Sequence, residues 1–148
     1  MKAGEMWKKF CNEKGISEDT PYEAWSFGDE PDKLAQLVLA GKKTATASAY
    51  DLYELDSDEK LPEKGDYSVV LNSKDEAVCV IQTTKTYVSL FMDVSEEHAR
   101  KEGEGDLSLS YWRKVHEEFF TGEYESCGMI FDKNTARILC EEFQIIHA

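Results

Sequence analysis

A chain of 148 residues, 41% of them hydrophobic, can bury roughly two-thirds of its unfolded surface in a core, which argues against a disordered tail or a stapled miniature scaffold. Thirty acidic side chains against 17 basic ones give a net charge of −13, so a long nucleic-acid duplex is repelled and only a local basic pocket could take an anionic ligand. Cys11, Cys79, Cys127 and Cys140 form no C-x-x-C pair and share no metal spacing with His98, His116 or His147, so no metal or cofactor site is expected.

The opening residues MKAGEMWKKFCNEKG lack an apolar signal core, and no apolar run approaches the ~18 residues of a membrane span. A cytoplasmic chain with free, mostly buried thiols is expected. Met6, Trp7, Phe10 and Cys11 stand at helical spacing, and Gly15 offers a stop. Thr20-Pro21-Tyr22-Glu23 reads as a capping box opening a brief helix. Asp29-Glu30-Pro31 opens a second helix, with Leu34, Leu37 and Val38 on one face and Gly41 as its left-handed close. The alternating Thr and Ala of 42–49 predict a strand. A turn at Pro62–Asp66 leads into Tyr67–Leu71, which Asn72–Glu76 pairs with Ala77–Val88 as a hairpin.

Ser95 is placed to cap a helix with Glu96 and Glu97 in its first turn, and Gly103 and Gly105 break it. Asp106 is the expected cap of the next, with Leu109, Trp112, Val115, His116 and Phe119 on one face. Cys127–Phe131 and Ile138–Ile146 read as strands. With no repeat or linker in the sequence, residues 1–148 are expected to form one α+β domain in which 1–24 are a helical extension.

Three stretches carry more chemistry than packing needs. Lys42, Lys43, Thr44, Thr46 and Ser48 crowd cations and hydroxyls into an acidic chain. His98–Asp106 is charged and punctuated by glycine. Tyr111–His116 sets Arg113 and Lys114 beside an aromatic stripe. The pairs Lys42/Lys43, Arg100/Lys101 and Arg113/Lys114 could converge on one cleft. His116 reads as a satisfied structural histidine, Trp112 as core, and Trp25 and Phe27 as base-stacking candidates.

Together these stretches resemble the ASCH domain family. The run Gly-Lys-Lys-Thr-Ala-Thr at 41–46 is similar to that family's opening signature, and Lys64-Gly65-Asp66 resembles its turn into the next strand. Glu-Gly-Glu-Gly-Asp at 102–106, followed by Leu109, Trp112-Arg113, His116 and Phe119-Phe120, is similar to a small bacterial subgroup. The resemblance covers about residues 25–145. It implies a small PUA-like mixed or antiparallel β-barrel with flanking α-helices, a scaffold for nucleic acids or nucleosides. Some small members of the family remove an acyl group from the exocyclic amine of cytidine derivatives with a Lys, Thr, Glu trio. On the matching positions that trio is Lys43, Thr46 and Glu102, the last within a His-Ala-x-x-Glu stretch. Ala47 and Ser48 are small where the subgroup carries an arginine, so the implied pocket differs.

Chemically, a threonine hydroxyl needs a neighbouring base. A lysine can serve once burial or a nearby cation lowers its basicity, and Lys42 stands beside Lys43. Glu102 could orient that lysine or activate water. In a regular strand, positions 43 and 46 face opposite sides, so the trio requires an irregularity between them. Ligand contacts are expected from Trp25, Phe27, Lys42, Thr44, Ser48, Arg100 and Arg113, to a small nucleoside-like molecule or a short single-stranded RNA. A non-catalytic RNA- or nucleotide-binding module and a ribonuclease are the alternatives.

Overall fold

The computed structural model describes residues 1–55 and 59–148. Its strands form one mixed five-stranded sheet in the order β1-β3-β4-β5-β2, and with its helices this is an α+β fold. The strands are β1 (Glu23–Trp25), β2 (Ala45–Ala49), β3 (Tyr67–Leu71), β4 (Ala77–Leu90) and β5 (Arg137–His147). The chain divides into two compact units, each with its own core, and the long strands β4 and β5 run through both.

The first unit holds Met1–Thr44, Glu63–Lys85 and Phe143–Ala148. Helix α1 (Ala3–Lys14) buries Met6, Trp7, Phe10 and Cys11, the stripe set by its 3.6-residue period, and ends at Gly15. That stripe packs with Val69 and Val80, so the first residues are part of a core rather than an appendage. The expected helix after Thr20 is instead β1, which pairs in parallel with β3 through Glu23↔Ser68 and Trp25↔Val70. So short a segment before the Ser26–Asp29 turn gains little from a single helical turn, whereas as a strand it satisfies its backbone on a neighbour. Helix α2 (Pro31–Leu39) starts at its proline and buries Leu34, Ala35 and Val38. Gly41 follows at φ 74°, a left-handed conformation that costs a side-chain-bearing residue about 1–2 kcal/mol. β3 and β4 form the expected hairpin, in register from Tyr67↔Gln82 to Leu71↔Ala77 with one irregularity at Val70/Leu71.

The second unit holds Ala45–Pro62 and Thr86–Glu142. β2 is antiparallel to β5, from Ala45↔Glu142 to Ala49↔Ile138, and runs into the single-turn helix α3 (Tyr50–Tyr53). Helix α4 (Glu96–Glu102) is capped by Ser95, whose hydroxyl accepts from the His98 amide. Helix α5 (Leu109–Ser126) is capped by Ser108 and not by Asp106. Asp106, two residues ahead of that cap, instead accepts from the Ser108 amide at 2.9 Å, because Leu107 takes a left-handed turn between them. Residues 127–131 are no strand. The chain leaves α5 through the left-handed Gly128, and Met129 and Phe131 pack on the unit's core as a loop. That core gathers Phe91, Val94, Trp112, Phe120, Tyr124, Ile138 and Cys140. All four cysteines are free thiols, Cys127 exposed and the others buried. Among the described residues, no helix is long and apolar enough to cross a membrane.

Candidate functional site

Lys43 lies in the first unit, just beyond α2. Its amide and that of Lys42 both donate to the Leu37 carbonyl, which ties the segment to the helix end. The strand β2 begins only at Ala45, so strand alternation does not govern the relation of position 43 to position 46. The Lys43 side chain is 2% exposed and sets its ammonium 5.2 Å from the centre of the Phe27 ring. Phe27 is itself buried and meets Trp25 edge-on, with ring centres 5.0 Å apart. Phe27 is therefore a wall, and Trp25, partly exposed on the edge strand, is the member of the pair with a face left for a ligand.

Thr46 and Ser48 lie on β2, both partly buried, and Thr46 pairs with Glu141 of β5. The Ser48 hydroxyl is 3.0 Å from the Tyr53 hydroxyl. Thr44 precedes the strand, and its carbonyl accepts from Phe143 at 3.0 Å. Helix α4 packs on β2 and on α5, which brings the helix of Glu102 against the strand of Thr46.

Glu102 is 1% exposed, and its surroundings explain how a carboxylate is kept there. Its Oε2 lies 2.8 Å from His98 Nε2, in hydrogen-bond contact, and accepts from the indole N–H of Trp112. His98 and Glu102 are four apart on α4, so the helix itself stacks one above the other. Its Oε1 faces His116 Nε2 at 3.5 Å. The His116 ring lies on Trp112, with centres 4.2 Å apart and planes 14° apart, and its Nδ1 donates to the Trp112 carbonyl at 2.9 Å. Burial works against a charged His116. The hydrogen bond and charge of Glu102, the Trp112 carbonyl and Glu104 outweigh it and raise its pKa above the ordinary imidazole value.

Tyr87 and Cys140 close this side of the core. Burial, reinforced by Cys140 and Glu142, pushes the Tyr87 hydroxyl up to about 12. Burial likewise pushes the Cys140 thiol up to about 12, so neither ionises near neutrality. One donor atom each from Glu102, Glu104 and His116 lies within 4.8 Å of the others, a spacing a cation could use. These atoms are better described as satisfying one another. Glu102 Oε2 is already in hydrogen-bond contact with His98 and Trp112, and the one nitrogen His116 has left is turned to Glu102 Oε1.

The basic pairs are unequally available. Lys42 is exposed while Lys43 is buried. Lys101 is held by Glu142 at 3.0 Å and Glu97 at 3.1 Å, while Arg100 is exposed. Arg113 donates to the Met92 carbonyl at 2.8 Å, and Lys114 is exposed. Thus Lys42, Arg100 and Lys114 are the members of the three pairs that are open to solvent. The ring of groups around Glu102 is the part sequence reasoning missed. Its signal was present in the two i, i+4 pairs, His98/Glu102 and Trp112/His116, on consecutive helices.

The sequence model of the ASCH domain matches residues 23–147. The chain belongs to the ASCH domain family. An ASCH domain from Lactobacillus crispatus has the same fold, with a TM-score of 0.84 and 28% identity over 97% of this chain and 96% of that one. A protein from Enterococcus faecalis superposes with a TM-score of 0.86 at 31% identity, over 97% of this chain and 86% of its own. An ASCH protein from Zymomonas mobilis shares the fold at a TM-score of 0.55 and 10% identity, over 84% of this chain and 70% of its own. No curated protein sequence matches the chain.

Proposed function

We propose that this ASCH domain is an amidohydrolase that releases the acyl group from the exocyclic amine of an acylated cytidine or a similar nucleoside, with Lys43, Thr46 and Glu102 as its catalytic groups. The observation that carries the reading is burial. Lys43 and Glu102 are 2% and 1% exposed in a chain whose other charges are mostly solvated. Fully burying a lysine or a glutamate is rare and costly, and buried ionisable groups concentrate at functional sites.

In this reading the Thr46 hydroxyl attacks the acyl carbonyl, its proton passing to the Lys43 amine and from there to the departing cytidine nitrogen. Water then hydrolyses the threonine ester, giving a carboxylic acid, cytidine and free enzyme. Glu102 acts as a fixed negative charge rather than as a base toward water. The indole N–H of Trp112 can only donate, so the oxygen it meets is an acceptor. Trp25 supplies a stacking face for the base, and Lys42, Thr44, Ser48, Arg100 and Arg113 are the further ligand contacts.

The test is hydrolysis of N4-acetylcytidine by purified protein, followed chromatographically. Thr46→Ala is expected to abolish turnover while leaving affinity within about tenfold, or ~1.4 kcal/mol. Undiminished hydrolysis in that variant removes threonine from the mechanism. Binding without any turnover in the unaltered protein leaves a nucleoside-binding module, whose affinity should then depend mainly on Lys43.

A further inference from the structure

A strand turns successive side chains to opposite faces of its sheet. In β2, Ala45, Ala47 and Ala49 take one face, and Ala47 and Ala49 there join the core of the second unit. Thr46 and Ser48 take the other. The pairing with β5 runs without a shift from Ala45 to Ala49, so nothing disturbs this alternation. Two residues of extended chain set Thr46 and Ser48 about 7 Å apart. On ordinary bond lengths, the acyl carbon of an N4-acylcytosine and the oxygen on C2 of its ring stand about 6 Å apart. A substrate whose acyl carbon meets Thr46, with its ring lying along the strand, therefore brings that oxygen to Ser48.

Ser48 is prepared for an acceptor. Its hydroxyl lies 3.0 Å from that of Tyr53, and both side chains keep part of their surface exposed. Either hydroxyl can be the donor, and the phenol is the more acidic of the two. With Tyr53 donating, the Ser48 oxygen accepts, and its own hydrogen is left for a ligand, polarised by the bond it receives. The helix that carries Tyr53 is a single turn, too short to hold itself, and Asp51 ties it down. Asp51 Oδ2 accepts from the Tyr124 hydroxyl at 2.7 Å and the Arg137 amide at 3.0 Å, while Oδ1 accepts from Arg137 Nε at 2.7 Å. Tyr53 thus reaches Ser48 from a turn that α5 and β5 both hold in place.

We propose that Ser48 is a specificity-determining residue that donates to the C2 oxygen of a pyrimidine base, and that Tyr53 is a positioning residue that directs its hydroxyl. The inference rests on the reading of Thr46 as the nucleophile toward an acylated base. The contact selects acylated cytosine over an acylated adenine, whose ring carries no oxygen, and over an acylated alkylamine, which has no ring at all. A site built to hydrogen-bond one substrate atom discriminates against an analogue lacking that atom more sharply than an apolar pocket does.

The experiment measures kcat/KM for N4-acetylcytosine and for 4-acetamidopyrimidine, the same ring without the C2 oxygen, in the wild type, Ser48→Ala and Tyr53→Phe. Both compounds are assayed on one preparation, so a partly unfolded variant slows both and leaves their ratio alone. Their intrinsic reactivities cancel when the ratio is compared between proteins. Loss of one hydrogen bond should lower the preference for N4-acetylcytosine by about fivefold or more in Ser48→Ala. Tyr53→Phe leaves Ser48 its hydrogen but not its direction, so the preference should fall less, by about twofold to threefold. An unchanged preference in Ser48→Ala overturns the inference and leaves the hydrolase reading standing; an unchanged preference in Tyr53→Phe alone removes the positioning role. If the wild type hydrolyses neither compound, the hydrolase reading fails and calorimetric affinities for the same pair decide. A binding preference that falls in Ser48→Ala then sustains the contact, and equal affinities or no binding overturn it.

Discussion

Replacing Trp112 by phenylalanine keeps a ring in the core and removes one N–H from a buried carboxylate. A hydrogen bond to a charged group contributes about 1.5–3 kcal/mol, so its loss at Glu102 should cost about that much. Trp112 is 2% exposed and packs on Phe91 and His116, so the smaller ring also leaves a void, adding about 1–2 kcal/mol. The expected total is ~2.5–5 kcal/mol, a large share of the ~5–15 kcal/mol that holds a domain together. The two contributions can be separated in the Glu102→Gln background. The Gln carbonyl can still accept from His98 and Trp112, but as a neutral acceptor, for which the bond contributes only ~0.5–1.5 kcal/mol. Urea unfolding of the wild type, both single variants and the double variant closes the cycle. A coupling energy of about 1 kcal/mol or more is expected between the two positions. If Trp112→Phe costs the same in both backgrounds, the indole does not stabilise a charged Glu102, and the argument for a fixed anion collapses.

Other outcomes follow from single features of the structure. Gly41 sits at φ 74° with open space around it, so Gly41→Ala should cost only the left-handed backbone, about 1–2 kcal/mol by urea titration; a neutral result would mean the turn relaxes freely. Gly105 is also left-handed, but a β-carbon there would overlap the Tyr111 ring, so Gly105→Ala should be the more damaging of the two. A thiol-reactive chromogen should count one cysteine, Cys127, in the native protein and all four in denaturant, since burial pushes the Cys79 and Cys140 thiols up to about 12. Burial would raise the Asp51 carboxyl, but hydrogen bonds from Arg137 and Tyr124 prevail and lower it, so it stabilises the fold above its unfolded pKa and that contribution is lost as pH falls through the folded one; Asp51→Asn should flatten the acid limb of a stability-against-pH curve, and an unchanged limb would refute the assignment. Chelator treatment should leave N4-acetylcytidine turnover unchanged; a loss restored by a divalent cation would reassign Glu102, Glu104 and His116 as ligands.

Elements whose signal is local were legible in the sequence. The stripe of α1, the proline start of α2, the hairpin of β3 and β4 and the Ser95 cap of α4 all match what their residues predict. Two of the failures have one cause in common. Glu23–Trp25 and Cys127–Phe131 are short segments whose fate is set by distant partners. The first finds a parallel neighbour in β3, 45 residues on by its Glu23↔Ser68 pairing, and so becomes a strand. The second finds none among the described strands and stays a loop, although its Met129 and Phe131 are as apolar as a strand would need. Propensity names what such a segment could become, and pairing decides.

The candidate site divides in the same way. Lys43, Thr46 and Glu102 were singled out because their residue types recur at family spacing, and that spacing says nothing of what surrounds each of them. His116 was read as structural since it falls on the apolar face of α5, and the structure gives that reading half its due. Its Nδ1 is satisfied by the Trp112 carbonyl, as a structural histidine's would be. Its Nε2 is not turned to the core but to Glu102. A single sequence cannot distinguish these, because the i, i+4 spacing that stacks His116 on Trp112 is the same whether the second nitrogen meets a methyl group or a carboxylate. The deciding element is α4, which ends at Gly103 just as its one buried acid comes level with the second turn of α5. Lengthening α4 by one residue before Glu102 would rotate that acid by about 100° and carry it off His98, Trp112 and His116 together. Such an insertion should therefore lower the His116 midpoint in an NMR titration toward that of a free imidazole, and a midpoint left where it was would show that Glu102 is not what raises it.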